Sequence, residues 1–385
     1  MSESSRRVLL IAPRHPSTSG GSTVVSNLSQ AFRQAGHYVE TISVYPPDAP
    51  SPPTAPDHVV FVNEQRQRHS IRTGDVSTLL LVPRVIRKRV ERRRSLRRLR
   101  RRIEALRPCD VVIFTHVMGK ALLDEAGYKR PLEGAPLLIG QHHSSFESLK
   151  DEPSLTVALP LHFSGCDAFV ALTERDAALF RPLVGVPSVA IPNPASDALP
   201  GTRDALAQRA IALARFSHEK QIPLMIELFA AALHTEEGRG WTLTVYGDGE
   251  TRAEAEARIR DLRVQDAVSL PGTTDDAQGA MSGSSLNLLC STFEGFGMTI
   301  LEAAQAGIPT VAYACSSGVE AQLADDAGWL VPAQDASAFI SALRHAMSSV
   351  AERERRGDRA RQRAQTYNPR EIVDRWENLW KSLRP

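Results

Sequence analysis

The 385-residue sequence is poor in cysteine, and its four cysteines stand apart at 109, 166, 290 and 315. No two have CxxC spacing, which excludes a zinc knuckle or a redox pair. In a chain of this length a disulfide framework is a poor fit, and buried free thiols in a reducing compartment are the expectation. Long apolar runs are missing as well. The N-terminus, MSESSRR, leads into only five or six apolar residues before Pro13, enough for a strand and too short for a signal-peptide core. The expectation is therefore a cytoplasmic protein. Charge of one sign is also scarce: 46 basic against 44 acidic residues leave a formal +2, too little for a general nucleic-acid binder. Neither GxGxxG nor GK[ST] occurs, so neither a dinucleotide fingerprint nor a P-loop is encoded.

What is present is alternation. Val8-Leu-Leu-Ile-Ala12 reads as a strand buried on both faces, followed by a loop over Pro13–Gly21 and a helical pattern from Ser22 to Ala35 closed by Gly36. Tyr38–Val44 reads as the next strand. Further strands are expected at Val59–Val62, Val111–Phe114, Leu137–Ile139, Ala168–Leu172 and Ser188–Ile191. PNPASDALPGTRD, residues 192–204, concentrates proline, glycine and small polar residues and reads as an interdomain linker. A second alternation follows. Its strands are Ala210–Ala214, Leu243–Tyr246, Val268–Leu270, Leu286–Leu289, Thr310–Ala314 and a short one near Trp329–Val331. Its helices include Leu224–Leu233, Arg252–Leu262 and Met298–Ala306. Two successive α/β domains with parallel sheets are implied, with ligands expected beyond the carboxyl ends of the strands.

Four stretches could carry chemistry. RHPSTSGGSTVV (14–25) sets Gly20 and Gly21 between a strand and a helix start, where free N–H groups suit an anion; a plain tight turn explains it equally. GQHHSSF (140–146) places His142 and His143 at a strand end, able to donate to substrate oxygens or move a proton. ALARFSHEK (212–220) brings Arg215 and Lys220 to a strand end five residues apart. They could clamp two phosphates, or lie in a solvated loop with a Glu219–Lys220 surface pair. CSTFEGFGMTILEAA (290–304) carries Glu294 on a glycine turn and Glu302 inside the following helix. The two carboxylates could accept hydrogen bonds from vicinal hydroxyls, or simply favour a helix start.

The run from Glu294 to Val311, EGFGMTILEAAQAGIPTV, resembles the E-x7-E signature of retaining glycosyltransferases of family 4. The resemblance extends from about residue 7 to 349. Gly20-Gly21 matches the family's first-domain glycine loop, His142 its strand-end histidine, CDAFVALTE (166–174) a strand and IPNPAS its linker. Arg215 and Lys220 fall on its R-x4-K positions, and VYGDGE (245–250) on a further loop. It implies a GT-B fold, two Rossmann-like domains facing across a deep cleft: residues 1–192 on the acceptor side and 193–368 binding the nucleotide-sugar donor. Helix 369–385 would pack back on the first, with Trp376 and Trp380 as packing anchors. Arg215 and Lys220 would hold the donor diphosphate and stabilise the leaving group. Glu294 would meet the sugar hydroxyls and Glu302 the ribose. Gly295 and the N–H groups of Phe296, Gly297, Met298 and Thr299 would lie at sugar and phosphate. His142, favoured over His143, would stand near sugar and acceptor, and Gly20 and Gly21 near phosphate or acceptor. The implied reaction is front-face glycosyl transfer with retention, from a UDP-sugar first by family frequency. Acceptors would be a glycan, a cell-envelope polymer, a lipid or a small metabolite. No D-x-D triplet occurs, which agrees with metal-independent chemistry and no separate cofactor. Pro194 departs from the family's linker glycine. A GT-B sugar-nucleotide 2-epimerase, or a non-catalytic carbohydrate-binding GT-B protein, is the alternative.

Between Arg84 and Arg107 thirteen basic residues face only Glu91 and Glu104. Leu96, Leu99, Ile103 and Leu106 recur at helical spacing, giving a basic helix docked by one apolar stripe. It could attract anionic membrane at the inner face or an anionic polymer, or be a solvated arginine face. No aromatic residue interleaves the run, so nucleic acid is not expected.

Overall fold

The computed structural model describes residues 5–17, 20–47, 57–61, 82–131, 133–197 and 202–384. The chain divides into two compact units. The N-terminal unit comprises 1–143, 152–190 and 375–385; the C-terminal unit comprises 144–151 and 191–374.

In the N-terminal unit the strands are β1 (Arg7–Arg14), β2 (Tyr38–Tyr45), β3 (His58–Val59), β4 (Val111–Phe114), β5 (Leu137–Gln141), β6 (Ala168–Ala171) and β7 (Ser188–Ala190). They form one sheet in the order β3-β2-β1-β4-β5-β6-β7. Every pairing is parallel. Because helices cover both faces, the central strands β1 and β4 read as apolar runs rather than alternating, and Val8 to Ile11 and Val111 to Phe114 are fully buried. The helices are α1 (Gly20–Gln34), α2 (Val82–Glu104), α3 (Val117–Glu125), α4 (Pro153–Phe163) and α5 (Glu174–Val184).

The C-terminal unit has β8 (Arg209–Leu213), β9 (Thr242–Tyr246), β10 (Val268–Gly272), β11 (Leu286–Leu289), β12 (Thr310–Tyr313) and β13 (Gly328–Val331), in the order β10-β9-β8-β11-β12-β13. Again all pairings are parallel. Its helices are α6 (Ile222–Leu233), α7 (Arg252–Leu262), α8 (Ala277–Met281), α9 (Met298–Ala306), α10 (Ser317–Leu323), α11 (Ala336–Ser348), α12 (Val350–Ala364) and α13 (Pro369–Leu383), the last ending in the N-terminal unit. Each sheet reverses its strand order once, at β1/β4 and at β8/β11, the point where an open parallel sheet opens a crevice beyond its strand ends.

The end of α13 is held by aromatic packing. Trp376 and Trp380 are fully buried, with ring centroids 6.1 and 5.4 Å from Phe32 of α1. His37 Nε2 lies 3.1 Å from Glu377 Oε1 beside them.

Several expectations need correction. The segment 192–196 is not a free linker: Ile191 to Ala195 are buried, Ala195 N–H donates to Tyr367 O at 2.8 Å, and Gln305 Nε2 donates to Ser196 O at 2.7 Å. The division falls between Ala190 and Ile191, and residues 144–151 go with the C-terminal unit. Helix α1 starts at Gly20, so Gly20 and Gly21 form its exposed first turn rather than a preceding loop. Nothing lies within 4 Å of a Cβ at Gly20, so no neighbour requires a glycine there. Cys109 is exposed in the turn before β4, whereas Cys166 and Cys290 are buried. Val62, the end of the third expected strand, lies outside the described residues.

Candidate functional site

The crevice end of the C-terminal sheet collects most of the residues singled out in the sequence. Strand β8 runs into the loop carrying Arg215 and Lys220, and β11, its neighbour across the order reversal, runs into the loop carrying Glu294. The two loops are stitched by a backbone bond from Thr292 N–H to Glu219 O at 2.8 Å. Lys220 Nζ then meets Glu294 Oε1 at 2.6 Å, and Ser291 Oγ donates to the same oxygen at 2.7 Å. Arg215 pairs instead with Glu219, Nη2 to Oε1 at 2.6 Å, and remains 62% exposed. The surface pair that the sequence suggests is therefore exchanged: Glu219 takes Arg215, which frees Lys220 for Glu294. Burial raises the Glu219 carboxyl, but neighbouring Ser217 and the Arg215 guanidinium outweigh it and hold it at about 2.

Two glycines hold the first loop against the next one, YGDG. A Cβ on Gly247 (φ +140°) would stand 1.8 Å from Ala214 O, and one on Gly249 (φ +151°) 2.4 Å from Phe216 O. The loop 294–297 is buttressed from α10: Gln322 Nε2 donates to Phe296 O, and a Cβ on Gly318 would stand 2.4 Å from Gly295 O. Gly297 (φ +80°) caps α9 in the left-handed region that favours glycine. It leaves the first-turn N–H groups of Met298 and Thr299 without helical acceptors, as at any helix start.

Glu302 sits one turn into α9, and no described residue hydrogen-bonds its carboxyl. Burial alone pushes it up to about 7. A carboxyl raised above its ordinary value adds stability that is complete below that ordinary value and is lost as pH rises through about 7. A ligand diol donating to the ionised carboxylate would reverse the shift. Stabilisation of the chain by a nucleotide is thus expected to grow as pH rises toward and past about 7, and Glu302→Gln should flatten that rise. Melting curves with and without UDP across pH check it; a pH-independent gain in Tm would count against a ribose at Glu302.

Burial, with Glu294 adding to it, pushes the Cys315 thiol up to about 12. A hollow of about 460 Å³ lined by Trp329, His345 and Arg356 lies beside β13 and contains none of these residues.

In the N-terminal unit His142 follows β5 and packs edge-on against Phe180, centroids 5.4 Å apart, with Nε2 buried and without a hydrogen-bond partner among the described residues. Burial, with His116 and His143 adding to it, pushes its imidazole down to about 3, so it is neutral. His116, at the end of β4 and N-cap of α3, is not among the residues that the sequence singles out, although FTHVMGK shows a histidine at a strand end. At the end of β1, His15 Nδ1 lies 2.9 Å from Ser22 Oγ, another pairing that spacing does not disclose.

Known proteins share the two-domain organisation. The model of Glycosyltransferase Family 4 matches residues 18–198, and that of Glycosyl transferases group 1 matches 207–363. Each match covers one of the two parallel-sheet units, so the chain carries glycosyltransferase-type domains in the GT-B fold. An exopolysaccharide phosphotransferase of Streptomyces coelicolor is 30% identical over 231 residues, 58% of this chain and 24% of that protein. The amylovoran biosynthesis glycosyltransferase AmsD of Erwinia amylovora is 24% identical over 171 residues, 44% of this chain and 47% of that protein. The chain thus spans about a quarter and about half of these two relatives. TarM of S. aureus, solved with fondaparinux, alpha-GlcNAc-glycerol and UDP, superposes with a TM-score of 0.75 at 14% identity. That likeness covers 97% of this chain and 99% of TarM.

Proposed function

We propose that this protein is a retaining hexosyltransferase that takes its sugar from a nucleotide sugar, UDP-linked first, and delivers it to a hydroxyl of a cell-envelope glycan, polymer or lipid. The observation that carries this reading is the convergence of Lys220 with Glu294, and of Arg215 with Glu219, on stitched loops at the strand-order reversal. The unpartnered Glu302 belongs to the same segment. A site with cations, a free carboxylate and helix-start N–H groups suits a molecule carrying both phosphate and hydroxyls. UDP in the TarM structure supports the choice of nucleotide, and the polysaccharide relatives support the acceptor class.

On this reading the bond from the sugar's anomeric carbon to the phosphate oxygen breaks as the acceptor oxygen bonds to that carbon on the same face. The acceptor proton passes to the departing phosphate oxygen. Lys220 and Arg215 stabilise the charge that develops on that phosphate, so no protein nucleophile or separate cofactor is required. Neutral His142 can donate to or accept from sugar or acceptor oxygens without adding charge.

A panel of UDP-, GDP- and ADP-sugars tests the donor through thermal stabilisation and slow hydrolysis without acceptor. Proton NMR of the product then reads the anomeric configuration, and inversion would overturn the retaining assignment. Turnover is expected to be unchanged in EDTA; a loss restored by magnesium would show a metal requirement instead.

A further inference from the structure

The N-terminal unit carries a surface that the proposed reaction does not use. Helix α2 buries Leu96, Leu99 and Ile103, with Leu106 just beyond its end. Arg92, Arg100 and Arg102 are matched by Glu125, Glu104 and Glu40. Lys88, Arg89, Arg93, Arg94, Arg97 and Arg101 are exposed and have no ion-pair partner among the described residues. At about 100° per residue, Arg94, Arg97 and Arg101 project opposite the buried stripe and form one row along the helix.

Helix α2 packs on α3, and α3 on α4. α3 is largely buried between them, with Val117, Lys120, Leu122 and Leu123 covered. α4 buries Leu155, Leu159 and Phe163 yet turns Val157 and Leu161, one turn apart, outward at 67% and 66% exposure. Neighbouring α5 adds Leu179. Single exposed aliphatics are ordinary. Here an adjacent pair lies in the same helical layer as the unpaired cations, about two helix spacings of roughly 8–10 Å each from α2.

The geometry points to this α2–α4 layer as a docking surface for an anionic lipid bilayer. The inference rests on the N-terminal unit's own surface and is independent of the proposed transfer reaction. A row of guanidinium groups alone would suit any polyanion. The aliphatic pair discriminates, because a phosphate or uronate chain offers it nothing, whereas a bilayer offers headgroup phosphates to α2 and the acyl boundary to α4. The acids of the intervening helix do not oppose this: Glu125 is matched by Arg92, and Asp124 by Lys120 and His162.

The test is co-sedimentation of the full chain with vesicles of pure phosphatidylcholine, and of equimolar phosphatidylcholine and phosphatidylglycerol, without donor or acceptor. Binding to the anionic vesicles alone, weakening with salt, is expected. Arg94→Gln/Arg97→Gln/Arg101→Gln should lower the partition coefficient on the order of 100-fold, about fivefold for each arginine. Val157→Ser/Leu161→Ser should lower it several-fold with the melting temperature unchanged. No binding to anionic vesicles at low salt, or undiminished binding by the arginine variant, would overturn the proposal. So would equally tight binding to soluble polyphosphate that the serine variant leaves untouched, which would mark a polymer track. If the arginine variant fails to fold, the lipid comparison and the serine variant decide.

Discussion

Lys220→Ala is expected to lower glycosyl-transfer turnover by about 10²–10³-fold, the usual effect of removing a preorganised group aimed at developing negative charge. The structure holds Lys220 in place. Its side chain is 22% exposed with the ammonium at 2.6 Å from Glu294, and its loop is tied to that of Glu294 by the Thr292–Glu219 bond. Truncation does two things. On the proposed mechanism it removes a cation from the leaving phosphate, and it leaves Glu294, 12% exposed, with Ser291 but no counter-charge, so that the carboxylate would repel the donor. Both effects act on the reacting state, so kcat should fall more than the melting temperature. Arginine at this position should restore charge without restoring turnover, because a planar fork does not reproduce a point ammonium. Steady-state kinetics with the accepted donor, alongside melting curves, check this; near-normal turnover by purified Lys220→Ala would sink the assignment of the site.

The largest loss of stability is expected from Gly247→Ala. The methyl would meet the backbone oxygen of Ala214 at 1.8 Å in a residue at φ +140°. Overpacking of about 1–3 kcal/mol and backbone strain of about 1–3 kcal/mol add here, a large share of a marginal total. Gly272→Ala is the internal control. Its φ of +97° imposes backbone strain, but nothing lies within 4 Å of its Cβ. Urea unfolding of the two variants should therefore differ by the clash alone. Equal losses would mean that YGDG can move away from Ala214 at little cost, and the loop carrying Arg215 would not be fixed from that side.

Much of the C-terminal unit is legible in the sequence because its periods are unambiguous. Leu286–Leu289 is a short strand, apolar but for Asn287, and Arg252–Leu262 and Met298–Ala306 are helices, all with the expected bounds. What spacing does not disclose are partners distant in the chain. Gln322 lies 26 residues from the Phe296 carbonyl it holds. The exchange of partners between Glu219 and Glu294 depends on β8 and β11 being neighbours, a topological fact that no local pattern carries. PNPAS has linker chemistry, yet two hydrogen bonds, one to the Tyr367 carbonyl and one from Gln305, pin it into the C-terminal unit. Cys109, expected to be a buried thiol, stands between Pro108 and Asp110 and falls on an exposed turn. The readings that failed concern surface and turn positions, where the chain's period says least about burial.

The matched charges at the candidate site also shape competition among ligands. Within the protein itself each cation already has a carboxylate, Arg215 with Glu219 and Lys220 with Glu294. An incoming phosphate must therefore exchange one anion for another and gains little by charge alone. A donor sugar can compensate by offering hydroxyls to the carboxylate it displaces, which inorganic phosphate cannot do. On the proposed function the site acts as an ion exchanger that favours molecules carrying phosphate and vicinal hydroxyls together. Free phosphate at cellular abundance should leave it largely open to its donor.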